Sequence, residues 1–243
     1  MNFSRRQILI AGLGLAATGC ATTGGSSSGK SAGRIGPIWP EGVKAPTKTT
    51  DPAPRYQPVR PNPTTSRTGV ADAPVDGVLP RKNWTRHGIA RRNINAMNGV
   101  KKITIHHEGW TPVTFTSATA AYDRIENIRQ IHVRDRGWAD IGYHYIIDRA
   151  GRVIEGRPIQ YQGAHVSENN PHNLGILVLG NFEKQKPSNA QVQMLGKFTK
   201  QMMTAHNVPA SQVRTHREIN PTQCPGRTLQ AHIDQLRRSR VIA

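Results

Sequence analysis

Two cysteines in 243 residues are too few for a disulfide-framed scaffold, and the two stand in unlike surroundings. Cys20 ends an apolar leader, whereas Cys224 lies in a proline-bounded loop, NPTQCPG, so each is expected to have its own chemistry. A long apolar run is also missing: Ile8 to Ala17 is rich in Gly and Ala and too short to span a bilayer. No internal repeat is visible, which excludes a solenoid. Acidic residues are scarce, 15 against 33 Lys and Arg, giving a formal net charge of +18. That balance favours polyanionic surroundings: nucleic acid, anionic lipid or an acidic polymer. No strand interleaves aromatic and basic residues as an RNA-binding sheet does, so nucleic acid is not the expected partner.

Proline is abundant but uneven: ten of 17 lie between Pro37 and Pro80. Residues 1–20, MNFSRRQILIAGLGLAATGC, place Arg5 and Arg6 before the short apolar run and read as a signal peptide. Ser4-Arg5-Arg6 resembles a twin-arginine export signal. Ala17-Thr18-Gly19-Cys20 resembles a lipobox, with Ala17 where leucine is usual, and makes Cys20 the expected lipidation site. On that reading the chain is exported to a cell envelope and held on a membrane by acyl chains rather than by a transmembrane helix. Residues 21–78 follow, rich in Gly, Ser, Thr and Pro and without helical or alternating period, as expected of a disordered linker. As a flexible coil it would span roughly 40 Å. Residues 79–243 are then long enough to bury a single core.

Within this last segment the patterns become regular. VKKITIHH, Val100 to His107, alternates and is β-branched, so it predicts a strand. Ala118, Tyr122, Ile125 and His132 recur at helical spacing over residues 117–135. Gly142 to Asp148 predicts a strand, with a turn at Arg149-Ala150-Gly151 and a hairpin partner at Arg152 to Glu155. Leu174 to Leu179 is continuously apolar, the mark of a central strand covered on both faces. Ser188 caps an expected helix whose Val192, Leu195, Phe198 and Met202 share a face. A short strand near Gln212 to Thr215 and a helix from Thr228 to Arg238 complete an α/β fold, a mixed central sheet flanked by helices.

Ten histidines offer material for a metal site. Cys224 follows His216 by eight residues, from a strand end into its loop, a plausible pair of zinc ligands. A third ligand must come from elsewhere. His106 and His107 end a strand, and only one of the two can face a given side. Two histidines, one cysteine and an open fourth position would make a catalytic rather than a structural site. Spacing alone leaves a second reading open, a core cysteine with unrelated surface histidines.

The motifs settle more than the spacing does. RKNW (Arg81 to Trp84), ITIHHEG (Ile103 to Gly109), RGWADIGYHYIIDRAGRVIEGR (Arg136 to Arg157), GAH (Gly163 to His165), HNLGILVLGNF (His172 to Phe182) and THREINPTQCPG (Thr215 to Gly226) occur in this order. Together they resemble the type-2 N-acetylmuramoyl-L-alanine amidases, the family shared by peptidoglycan recognition proteins and phage amidase-lysozymes. The resemblance implies that His106, His216 and Cys224 bind Zn2+, that His107 faces the other side of the sheet, and that Tyr143 and Thr222 are the active-site residues. It implies further that His165 and Asn173 line or brace the groove as substrate-binding residues, together with His132 and Asn181, for which a structural role is expected. His144 alternates away from Tyr143 and is expected in the core; Glu218 is a candidate for orienting the site.

The implied activity is hydrolysis of the amide between N-acetylmuramic acid and L-alanine in peptidoglycan, by a monomer. An amide is a poor electrophile, so its carbonyl must be polarised and water activated near neutral pH, both of which zinc supplies. Tyr143 would donate a hydrogen bond to the carbonyl oxygen as it becomes negative. The proton for the leaving nitrogen has two candidate sources, Tyr143 and water at the zinc ion. Two rival readings remain: a peptidoglycan receptor on the same fold without catalysis, and a tethering lipoprotein whose linker matters more than its domain. The presence of Cys224, Tyr143 and Thr222 favours the enzyme.

Overall fold

The computed structural model describes residues 77–91 and 94–242; the expected signal segment, Cys20 and almost all of the expected linker lie outside the described residues. Among the described residues, six strands form one sheet in the order β1-β4-β3-β5-β2-β6. They are β1 (Val78–Leu79), β2 (Lys102–His107), β3 (Tyr145–Ile147), β4 (Val153–Glu155), β5 (Asn173–Val178) and β6 (Val213–Thr215). Only the β3–β4 pair is antiparallel, so the sheet is mixed, as expected. Three helices accompany it: α1 (Ala118–Arg134), α2 (Asn189–His206) and α3 (Arg227–Arg238).

The helices begin where their caps direct. Ser117 accepts from the Ala120 amide at the start of α1. Ser188 and Gln191 form a reciprocal capping box at α2, satisfying two amides that the first turn would leave unpaired. Asn207 ends α2 in the left-handed conformation, φ 53°, which asparagine tolerates better than most residues. Among the described residues no helix is long and apolar enough to cross a membrane.

Alternation along the strands divides the core in two. Ile103, Ile105, Leu174, Ile176 and Val178 share a cluster with Leu195, Phe198 and Met202 of α2 and Leu229 and Ile233 of α3. On the opposite face Ile146, Ile154 and Leu177 pack against Ala121, Ile125 and Ile128 of α1. Each fully buried aliphatic side chain contributes about 1.5–3 kcal/mol relative to exposure. The α1-side cluster includes no residue of β2 or β6. On that face Thr104 and His106 of β2 stand opposite Gly175 and Leu177 of β5, and His106 places the site at this part of the sheet.

Two local expectations differ from the structure. The strand expected from Gly142 starts only at Tyr145. The carbonyls of Gly142 and Tyr143 accept instead from the amides of Ala164 and Arg157, so this stretch is committed outside the strand ladder. β1 was not legible at all, because two residues carry no period.

Candidate metal centre and groove

β2 and β6 are adjacent and parallel, with Ile105 opposite Thr215. His106 follows Ile105 on β2 and His216 follows Thr215 just past the end of β6, so the register brings two imidazoles to one end of the sheet, 4.8 Å apart between ring centroids. His216 opens a short 3-10 turn (His216–Glu218), capped by Thr215 and Glu218 in a reciprocal box. The chain then returns: the Arg217 amide donates to the Cys224 carbonyl at 2.9 Å, and the Cys224 amide donates to Thr222 Oγ1 at 3.2 Å. Cys224 Sγ thereby comes to 3.6 Å from His106 Nδ1 and accepts from the His107 amide at 3.4 Å.

Among the described residues, one ligand atom each from His106, His216 and Cys224 lie within 4.8 Å of one another. Zinc bonds of about 2.0–2.3 Å in tetrahedral arrangement would hold ligand atoms roughly 3.3–3.7 Å apart. The Cys224–His106 pair is already at that spacing. Two imidazoles and a thiolate form a borderline-soft donor set that suits zinc better than calcium or magnesium. The residues present therefore fit the ion. Burial, then neighbouring His165 and His216, hold the His106 pKa well below its usual value, leaving the ring neutral with a lone pair to offer. Burial pushes the Cys224 thiol up to about 12, against the lowering effect of the His107 amide.

His107 faces the other way. Its Nδ1 accepts from the Phe182 amide at 3.2 Å and its ring stacks on Phe182, with a centroid separation of 6.2 Å.

Tyr143 is half-buried beside the cluster, 5.2 Å from His106 between ring centroids. Burial, then Cys224, raise the pKa of its phenol, so it is a hydrogen donor at neutral pH. Its loop is pinned from several sides. Gly142 lies so close to the Ala164 carbonyl that a Cβ there would fall 2.3 Å from the oxygen. The Gly142 amide donates to His132 Nδ1 at 3.0 Å. Arg157, 3% exposed, spends its guanidinium on the carbonyls of Ile141, Gln162 and Asp140 at 2.8, 2.6 and 3.1 Å. Sequence reasoning quoted Arg157 inside a motif without giving it this role; nothing local marks a buried arginine that serves a loop 16 residues away.

Thr222 is exposed, two residues before Cys224, and its oxygen accepts from the Cys224 amide. Asn181 braces the loop after β2, donating to the carbonyls of Gly109 and Trp110 at 2.9 and 2.6 Å. His144 is fully buried, accepting from the Gly175 amide and donating to the Tyr161 carbonyl. Glu218 pairs with Arg237 and caps its own turn, so it shapes the His216 segment rather than facing the groove. Glu108, which sequence reasoning passed over, is buried and paired with Arg124, whose guanidinium lies 5.0 Å over the Trp110 ring.

Asn173 and His165, expected to line or brace the groove, are both buried and hydrogen-bonded. Asn173 is 0% exposed, and its amide is consumed by Thr104 Oγ1 at 2.9 Å and the Asn169 carbonyl at 2.8 Å. His165 is 7% exposed, and both ring nitrogens are engaged, by His106 at 3.0 Å and the Asn173 carbonyl at 3.0 Å. Gly163 and Gly175 leave room for the His165 ring to sink onto the sheet.

The buried histidines predict acid lability. Burial holds His132 at about 3 and His144 at about 4, below the unfolded value of 6.5. The unfolded chain therefore takes up these protons first as pH falls. Stability from the two is complete above about 6.5 and declines from there towards about 4, by about 1.4 kcal/mol per pH unit for each ring. Melting temperatures of the metal-free protein should be level above pH 7 and fall steadily between pH 6 and pH 4.5; a flat profile would contradict the burial of these rings.

Comparison with known proteins agrees with this geometry. The family model for N-acetylmuramoyl-L-alanine amidase matches residues 96–227. Peptidoglycan-recognition protein SD of Drosophila simulans is 36% identical over 112 residues, covering 46% of this chain and 60% of that protein, so the chain spans somewhat under two thirds of this relative. The solved structure of Drosophila PGRP-LB superposes with a TM-score of 0.59 at 25% identity, over 65% of this chain and 92% of that one. The amidase LysC from Clostridium intestinale shares the fold, with a TM-score of 0.53 at 23% identity over 66% of this chain and 97% of its own. With more than half of its length matched and the α/β fold of the peptidoglycan recognition proteins, the chain belongs to the N-acetylmuramoyl-L-alanine amidase family.

Proposed function

We propose that this protein is a zinc-dependent amidase that hydrolyses the bond between N-acetylmuramic acid and L-alanine in peptidoglycan. The observation that carries the reading is the convergence of His106, His216 and Cys224 with the Tyr143 ring beside them. A receptor that only binds has no use for three such donors at one point; a hydrolase needs them. His106, His216 and Cys224 would hold the ion. A bound zinc ion supplies Lewis acidity and activates water near neutral pH.

The chain's own residues do the rest. The Tyr143 phenol, protonated and held by a pinned loop, donates a hydrogen bond where the amide oxygen gains charge; such a donor is worth about 2.7–4 kcal/mol. Exposed Thr222 meets substrate at the rim and orients it. Cys20, as a lipidated anchor, and residues 21–78, as tether, would hold the domain near the wall on the envelope side of a membrane, and a Cys20→Ala protein should then leave the membrane fraction for the soluble one. Wild-type protein already soluble would end the anchor proposal.

Metal removal tests the core of the reading. Dialysis against a chelator should abolish release of stem peptides from purified peptidoglycan, and one equivalent of zinc should restore it. Undiminished release by protein verified free of metal would overturn it.

A further inference from the structure

We propose that His165 is a positioning residue: through a hydrogen-bond chain anchored on the sheet backbone, it fixes the His106 ring with Nδ1 aimed at the metal position. The proposal rests on the zinc reading above and adds a residue that acts on the metal position through His106.

The direction of each bond follows from one fixed end. A carbonyl oxygen only accepts, so the contact of 3.0 Å between His165 Nε2 and the Asn173 carbonyl puts the hydrogen on Nε2. In the neutral ring Nδ1 is then an acceptor. It lies 3.0 Å from His106 Nε2, which must therefore be the donor. His106 Nδ1 is left with its lone pair, and that atom is the one facing Cys224 Sγ at 3.6 Å. A metal-ligating histidine commonly donates its other nitrogen to a carboxylate, carbonyl or water. Here the acceptor is a second imidazole, itself held by a backbone carbonyl.

The chain is rigid at every link. Asn173 is on β5, paired in register with Lys102 of β2, the strand that carries His106. Its side chain is tied to Thr104 and to the Asn169 carbonyl. The His165 amide donates to Asn170 Oδ1 at 2.8 Å. The ring itself occupies a slot floored by glycine: a Cβ on Gly175 would fall 2.6 Å from it, and one on Gly163 2.5 Å. Glycine in the middle of a central strand weakens the strand, and the slot accounts for its presence. Because the anchor and the ligand stand on neighbouring strands of one sheet, the His106 ring is set before any ion arrives.

Three measurements on the full chain test this. In the metal-free wild type, nitrogen-15 NMR of the imidazoles should show His165 with hydrogen on Nε2 only; hydrogen on Nδ1 would overturn the proposal. Zinc affinity by chelator competition should fall about 10- to 100-fold in His165→Leu, the usual loss for such an outer partner. His165→Asn, whose side-chain oxygen can stand near the Nδ1 position, should recover most of that loss while melting close to His165→Leu in metal-free form. Equal zinc affinity in wild type and His165→Leu overturns the positioning role and leaves the zinc reading intact. Wild type that fails to bind zinc overturns both. If His165→Leu does not fold, the NMR tautomer and His165→Asn decide.

Discussion

Tyr143→Phe should lower turnover by about 10²–10³ while zinc content and melting temperature remain at wild-type values. The substitution removes one hydroxyl from a ring that stays packed near His106 and His165. The loop around it is held by Arg157, His132 and the close approach of Gly142 to Ala164, each acting on the backbone of Ile141 or Gly142. A donor that acts as charge develops affects kcat more than KM, so substrate affinity should change little. Thr222→Ala should be milder and appear mainly in KM, because Thr222 is exposed. A Tyr143→Phe enzyme with wild-type turnover would remove the phenol from the mechanism; a parallel loss of zinc would instead make it a structural prop of the metal site.

Cys224→Ala should reduce bound zinc from about one ion per chain to near zero and abolish hydrolysis, since a three-ligand site does not survive on two imidazoles. The fold should persist. Cys224 lies in the loop after the His216 turn, and that loop is tied by the Arg217 amide to the Cys224 carbonyl and by the Arg217 side chain to the Gln223 carbonyl. Neither bond uses the sulfur. Full metal content and activity in this variant would refute the assignment of the site.

Much of this arrangement was legible in the sequence, for physical reasons that differ from residue to residue. β2 announced itself by alternation, and alternation also separated His106 from His107: one reaches the metal cluster, the other stacks on Phe182. The α2 cap was readable because Ser188 and Gln191 act within one turn. Cys224 was found through its proline-bounded loop and family motif, not through its distance from His106, which is 118 residues along the chain. What escaped was set by tertiary packing. The depth at which His165 and Asn173 sit was not legible, because a polar side chain looks the same in sequence whether it faces solvent or the sheet. The seat of the His165 ring depends on the empty Cβ positions of Gly163 and Gly175. Arg157 and the Glu108–Arg124 pair escaped for the same reason: their partners are distant in sequence, and no local period encodes them.

The most direct test of the central claim is the mass of the products. Purified peptidoglycan digested by the zinc-loaded protein, then analysed by mass spectrometry, should yield stem peptides beginning with a free L-alanine amine and glycan strands bearing intact lactyl carboxylates, and neither should accumulate with Cys224→Ala. Peptidoglycan that is bound but left uncut by fully zinc-loaded wild type, or that is cut at a glycosidic or peptide bond, would contradict it.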